Sequence, residues 1–157
     1  GGECVNGSSV KAFGGVFAGW ASSQAFFRHE RWRHLGFNSI EARLQFWEHD
    51  HLTQDANNLL TELNTWQGGD ISDNPVFKGD YNAALAAITM PTRMMPSTTD
   101  LYFTAEDAAG DAVQMPGAKF ETLASDCCHI AGGAGREQQS HQQILAAAQT
   151  LTSAVRS

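Results

Sequence analysis

Thr98-Thr99-Asp100-Leu101-Tyr102-Phe103 follows a candidate buried strand, Thr92-Arg93-Met94-Met95-Pro96-Ser97, and precedes a helix start at Thr104-Ala105-Glu106-Asp107. A carboxylate at a strand's C-terminal end sits where open α/β sheets place their sites. Twenty-nine residues after Asp100, a second candidate strand, Lys119 to Ser125, has run out into Asp126-Cys127-Cys128-His129-Ile130-Ala131-Gly132-Gly133. That puts His129 on the equivalent loop of the next strand. The last helix is expected over about Glu137 to Val155, carried by Ile144, Leu145, Ala148, Leu151 and Val155. Strand, loop, helix, repeated, predicts a parallel sheet with the two strands side by side. Parallel sheets are buried on both faces and need several strands, so further strands are expected from an N-terminal segment or another chain.

Upstream of Pro91 the pattern is helical. Residues 1–9 read as a loop, broken by Gly1, Gly2, Asn6, Gly7, Ser8 and Ser9. From Val10, apolar Phe13, Val16, Phe17, Trp20, Phe27 and Trp32 recur at roughly helical spacing as far as Leu35-Gly36, predicting one long or broken amphipathic helix. Asn38 can cap a second helix and Glu41 complete a capping box, with Ile40, Leu44, Phe46, Trp47 and Leu52 on the apolar face. A third helix starts at Asp55, carries Leu59, Leu60, Leu63 and Trp66, and stops at Gly68-Gly69. After a turn-rich connector, Asp80 caps a short helix from Tyr81 to Ile88. Residues 10–79 thus read as a helical lid or cap and 80–157 as the strand-bearing part. Trp20, Phe26, Phe27, Trp32, Phe46, Trp47 and Trp66 are most simply core; in a lid, some would line a substrate pocket.

The length of 157 residues predicts one domain, and 42% hydrophobic against 17% charged residues predicts a globular one. A net charge of −7 without a basic stripe excludes the footprint of a nucleic-acid binder. Three cysteines, two of them adjacent, fit neither a disulfide framework nor a spaced metal knuckle, which points to a reducing, cytoplasmic setting. No apolar run reaches the roughly 18 residues of a spanning helix, so no membrane partner is expected. Lys11 followed by residues 12–21 only faintly imitates a signal peptide, because glycines interrupt it. Opening on Gly1-Gly2-Glu3-Cys4 without an initiator Met, the chain looks cut, tagged or processed.

An Asp in such a loop ordinarily forms an Asx turn or caps the following helix. Ahead of a strand-end histidine, Asp100 has a second role open to it: holding an imidazole in one tautomer and stabilising the imidazolium that forms. His129 is then the general base and acid. Acid then histidine matches the last two members of the Ser…Asp…His order of α/β-hydrolases. No G-x-S-x-G occurs in the 157 residues. Packing is the role expected for one of Cys127 and Cys128, and a thiol nucleophile two residues from its base on an extended loop would be hard to orient. His29-Glu30 with His34 imitates a zinc motif, but i, i+5 spacing turns the imidazoles to different faces. His49 and His51 diverge likewise, and no metal is expected. These histidines read as a polar helix face with Arg28, Arg31 and Arg33.

Three runs carry a family resemblance: Gly79-Asp80-Tyr81-Asn82-Ala83-Ala84-Leu85-Ala86-Ala87-Ile88, Met95-Pro96-Ser97-Thr98-Thr99-Asp100-Leu101-Tyr102-Phe103, and Ser125-Asp126-Cys127-Cys128-His129-Ile130-Ala131-Gly132-Gly133. They resemble the C-terminal half of homoserine O-acetyltransferase-like α/β-hydrolases. Ala18-Gly19-Trp20, Asp55-Ala56-Asn57-Asn58-Leu59-Leu60 and Trp66-Gln67-Gly68-Gly69-Asp70-Ile71-Ser72 look like the helical lid of that group. Arg93 and Cys127-Cys128 depart from its pattern. The resemblance implies an α/β fold: the C-terminal part of an α/β-hydrolase, a helical lid plus the last two parallel strands and their helices, with the N-terminal strands missing. It implies acyl transfer to an alcohol or to water, with Asp100 and His129 as acid and base. The nucleophilic Ser would come from an N-terminal half, in the same protein or a separate chain. The substrate would be a small-molecule ester or alcohol. No cofactor would be tightly bound, and acetyl-CoA could serve as an acyl-donor substrate. By analogy, an aromatic lid could also serve as a homodimer surface. Two other readings remain at this point: a non-catalytic helical interaction domain, and a processed subunit active only with its N-terminal piece.

Overall fold

Helix α1 (Gly7–Ala21) leads into a short helix α2 (Gln24–Arg28) and a 3-10 turn at Arg31–Leu35. Then come α3 (Ile40–His51), α4 (Ala56–Gly68), α5 (Tyr81–Ala86), strand β1 (Thr92–Met94), α6 (Ala105–Gln114) and strand β2 (Ala118–Phe120). A second 3-10 turn, Cys128–Gly132, precedes α7 (Gln138–Val155). This is a computed structural model in which residues 7–133 and 136–155 are described. Residues 1–6 of the expected N-terminal loop, Ala134 and Gly135 of the glycine-containing loop, and the Val155 side chain lie outside that description. Gly7, Ser8 and Ser9, expected in the loop, instead form the first turn of α1.

The expected helix from Val10 to Gly36 is broken twice. Ser23 caps α2, its Oγ accepting from the Phe26 N–H at 2.9 Å, and Glu30 takes a left-handed φ of 50°. Ser39, not Asn38, caps α3: its Oγ accepts from the Ala42 N–H at 3.1 Å. Glu41 then stands two residues after the cap rather than three, so the capping box does not form. Asp80 caps α5 as expected, and Asp55 and Thr104, expected only as the starts of α4 and α6, are their caps.

The helical region packs through a face the apolar pattern does not show. The residues that α1 buries are Val10, Gly14, Ala18 and Ala21, while Phe13, Val16 and Trp20 stay exposed. Small residues let α1 lie against α3. A Cβ built on Gly14 would stand 2.6 Å from the Trp47 carbonyl oxygen. On α3 the buried residues are Arg43 and His51 rather than the expected Ile40, Phe46 and Leu52. His51, expected on a polar face, packs against Phe13, Phe17 and Trp47, and its Nδ1–H donates to the Trp47 carbonyl at 2.9 Å. Of the expected core aromatics, Phe26 and Trp32 are buried; Trp20, Phe46 and Trp66 are exposed. The core joins Phe26 and Trp32 to Cys127 and Ala131, with Phe37 packed against it. It therefore ties the α2–α3 segment to the loop carrying His129.

β1 and β2 pair in parallel, Thr92 with Ala118 through Met94 with Phe120, and a further bridge joins Ser97 to Leu123. Both strands are shorter than expected because Pro96 breaks the ladder. The Thr92 and Thr98 N–H groups donate to Gly117 and Leu123 carbonyls, and Pro96, of the same parity, has no N–H to give. Among the described residues the sheet has these two strands only, so no strand pairs with the outer edge of β1. No helix among them is long and apolar enough to cross a membrane.

Candidate active site

The acid and the histidine are brought together where β1 and β2 end. Asp100 uses its two oxygens for different tasks. Oδ1 accepts from the N–H groups of Tyr102 at 2.8 Å and Phe103 at 3.1 Å, which is the ordinary Asx turn. Oδ2 accepts from His129 Nδ1 at 3.1 Å. A carboxylate can only accept, so the proton sits on Nδ1 and leaves Nε2 with its lone pair free to act as a base. Side-chain exposure separates the two roles: 9% for Asp100, 39% for His129. The carboxylate is shielded and the imidazole is reachable.

Thr99 bridges the two loops that carry this pair. Its Oγ1 donates to the Ser125 carbonyl at 2.8 Å and accepts from the Cys128 N–H at 3.1 Å, tying the loop after β1 to the loop after β2. Cys128 has φ of 55°, a conformation that costs a non-glycine residue about 1–2 kcal/mol and persists only where its surroundings enforce it. The Thr99 bond to its N–H is one such constraint. His129 follows immediately.

A second anchor holds the same loop from the helical side. His29 Nδ1 and Arg31 Nε donate to Asp126 Oδ2 at 2.9 and 2.8 Å, while Ser23 Oγ donates to the Asp126 carbonyl at 2.6 Å. The His29 and Arg31 bonds hold the Asp126 carboxyl below the usual carboxylate range. His29, weighed as a metal ligand beside His34, is thus engaged with Asp126. Both Cys127 and Cys128 are free thiols and buried, and burial pushes both thiols up. A thiol held neutral is a poor nucleophile.

His129 faces a small aromatic chamber of about 220 Å³ that it lines with Phe17, Trp66, Tyr102 and Phe103. The Tyr102 ring meets the imidazole edge-on at 4.9 Å and the Phe103 ring lies 5.6 Å away. Burial raises the Tyr102 hydroxyl above its ordinary value. A separate cavity of about 450 Å³ runs from Arg93 to Asp100 and His129 beneath α7.

Asp100 and His129 were legible as candidates. Thr99, Ser125, Asp126 and the left-handed Cys128 were not. The only signal for Thr99 is a hydroxyl residue directly before the acid, a pattern too common to act on.

The chain has relatives among known proteins. No protein-family model matches the chain. It is 31% identical over 116 residues to the probable esterase of Corynebacterium glutamicum, covering 73% of this chain and 33% of that protein. It is 35% identical over 127 residues to the ethyl acetate hydrolase of Pseudomonas veronii, covering 80% and 35%. Among solved structures, an acetylester hydrolase from Corynebacterium glutamicum superposes with a TM-score of 0.81 at 28% identity, over 88% of this chain and 39% of that one. The acetyl esterase MekB superposes with a TM-score of 0.86 at 30% identity, over 94% and 42%. The chain shares the fold of the matched part of these esterases, and it spans about a third of the length of the curated relatives it matches.

Proposed function

We propose that this chain is the acid- and base-bearing C-terminal part of an α/β-hydrolase that cleaves small esters. The observation that carries the reading is the Asp100–His129 bond, with the imidazole open to an aromatic chamber. Its nucleophile is a serine on an N-terminal segment outside these 157 residues, in the same protein or a separate chain. Strands of that segment pair with the outer edge of β1.

In the proposed reaction His129 Nε2 takes the serine proton as the hydroxyl attacks the ester carbonyl. Asp100 keeps Nδ1 protonated and stabilises the imidazolium. Collapse of the tetrahedral intermediate breaks the bond to the alkoxy oxygen, and Nε2 returns the proton to it. Water, deprotonated by the same nitrogen, then attacks the acyl-serine; the acyl–Oγ bond breaks, Nε2 returns the proton to the serine Oγ, and the carboxylic acid leaves. No cofactor takes part.

Water is favoured as acceptor by the named activities of the relatives, all hydrolases. Acetyl transfer from acetyl-CoA to homoserine, implied by the family resemblance, is the second reading; Arg93, in the 450 Å³ cavity that His129 also lines, is the cationic side chain that would meet a charged acceptor there. The two buried thiols fit a reducing, cytoplasmic setting.

The test uses the full-length protein carrying this segment with ethyl acetate and p-nitrophenyl acetate. Asp100→Asn and His129→Ala are each expected to lower kcat by about 10⁴-fold, the scale set by loss of the correct tautomer or of the base itself. Unchanged ester turnover in both variants would overturn the reading.

A further inference from the structure

We infer that Trp66 is the wall that limits the size of the alcohol part of the ester, an inference that rests on the hydrolase reading above. The base that takes the serine proton returns it to the departing alkoxy oxygen, so the leaving alcohol lies against the histidine ring. Here that ring borders two spaces, the 220 Å³ aromatic chamber and the 450 Å³ cavity that also holds Arg93; the chamber, walled only by aromatic rings, is the one assigned to the apolar alkoxy group.

Two walls of this chamber, Phe17 and Trp66, also line a larger apolar cleft of about 680 Å³ between α1, α3 and α4. They partition the two spaces. Phe17 is braced by Trp47 and His51. Trp66 is not: it stands near the end of α4, a helix with no buried residue, and is 51% exposed. Its indole is positioned by ring contacts to Tyr102 at 5.5 Å and Phe103 at 5.7 Å. A short alkoxy group fits the chamber as it stands. A longer one meets the indole, and behind it lies a cleft walled by Phe13, Leu59 and Leu63 that could take an alkyl chain. Trp66 is thus a specificity residue on the cap side that neither the acid nor the base motif marks.

The experiment measures kcat/KM of the full-length protein for ethyl, butyl, hexyl and octyl acetate, which share one acyl-enzyme and differ only in the alcohol. A second series, p-nitrophenyl acetate, butyrate and hexanoate, varies the acyl group at a constant alcohol. Trp66→Ala is expected to raise the hexyl-to-ethyl ratio about tenfold, the low end of what an apolar pocket discriminates per methylene. Trp66→Phe should fall between it and the parent, and it keeps an aromatic at the position should the alanine variant fail to fold. The acyl series and the pH profile should not move. A hexyl-to-ethyl ratio unchanged in both variants, while His129→Ala abolishes turnover, would overturn the role of Trp66 and leave the hydrolase reading standing. A shift in the acyl series instead would overturn the alkoxy assignment. No turnover of any ester by the parent protein would overturn both readings.

Discussion

Two regions of this molecule hold buried polar groups in opposite ways. On α3, Arg43 is 1% exposed, yet among the described residues nothing accepts a hydrogen bond from Nε, Nη1 or Nη2. Its guanidinium sits among the rings of Trp47, Phe37, Phe46 and Phe26 at 4.9 to 5.8 Å, and burial pushes it down to about 10. It remains a cation at neutral pH, and among the described residues its contacts are with ring faces. At the strand ends the polar groups of Thr99, Ser125, Cys128, Asp100 and His129 are joined by directed bonds. Packing of the first kind depends on volume, whereas the second depends on which atom donates to which.

The largest expected effect tests the volume side. Arg43→Ala should destabilise by about 2–5 kcal/mol, as deletion of a large buried side chain does. Arg43→Met, of similar shape, should cost less than about 1.5 kcal/mol or even stabilise, since it removes a buried unpaired charge. Denaturant midpoints at neutral pH decide between them. If methionine costs as much as alanine, the guanidinium has a partner beyond the rings and the contrast fails.

The directed side is tested at Thr99. Thr99→Val keeps the shape but strands the buried Cys128 N–H and removes a donor from the Ser125 carbonyl, at about 1–3 kcal/mol for an unsatisfied buried group. With the left-handed Cys128 less constrained, the imidazole loses its register to Asp100. The expected result is a kcat for ester hydrolysis lowered about 10- to 100-fold, with KM little changed. Thr99→Ser, which restores the hydroxyl, should recover most of it. A kcat insensitive to both would show that the loops hold themselves.

The same contrast explains what could be read beforehand. Asp80 was legible as a cap, and Asp55 and Thr104 as helix starts, because a cap is a local event between a side chain and the N–H groups two or three residues on. Asp100 and His129 were legible because strand–loop–helix alternation places strand-end loops side by side. Asn38 lost its cap to Ser39 by a one-residue difference that the apolar pattern does not resolve. The buried stripe of α1 escaped because Gly14 and Ala18 face α3 by being small, while a hydrophobic count follows the large residues. Arg43 and His51 escaped because nothing local marks a charged or polar side chain for burial. Cys128 escaped because its φ is stabilised from Thr99, twenty-nine residues away.

The smallest effect comes where the two regions meet. Asp126 belongs to the His129 loop, but its carboxylate is held by His29 and Arg31 from the helical side. Those bonds lower its folded pKa below the unfolded value of about 3.9. A carboxylate shifted in this direction contributes stability that is present in full above the unfolded value and lost as pH falls through the folded one. Asp126→Asn should therefore destabilise the protein at pH 7, and the gap to the parent should close in strongly acidic solution. With His29 and Arg31 each about half exposed, screening limits the gap to about 0.5–1 kcal/mol. The Ser23 bond is made to the Asp126 backbone carbonyl, so the variant leaves it in place and the measurement isolates the charge. Denaturant melts of parent and variant at pH 7 and pH 2.5 provide the check. A gap as large at pH 2.5 as at pH 7 would mean that the asparagine disturbs the loop by shape alone, and the seam would then belong with the hydrogen-bonded loops rather than with an ion pair.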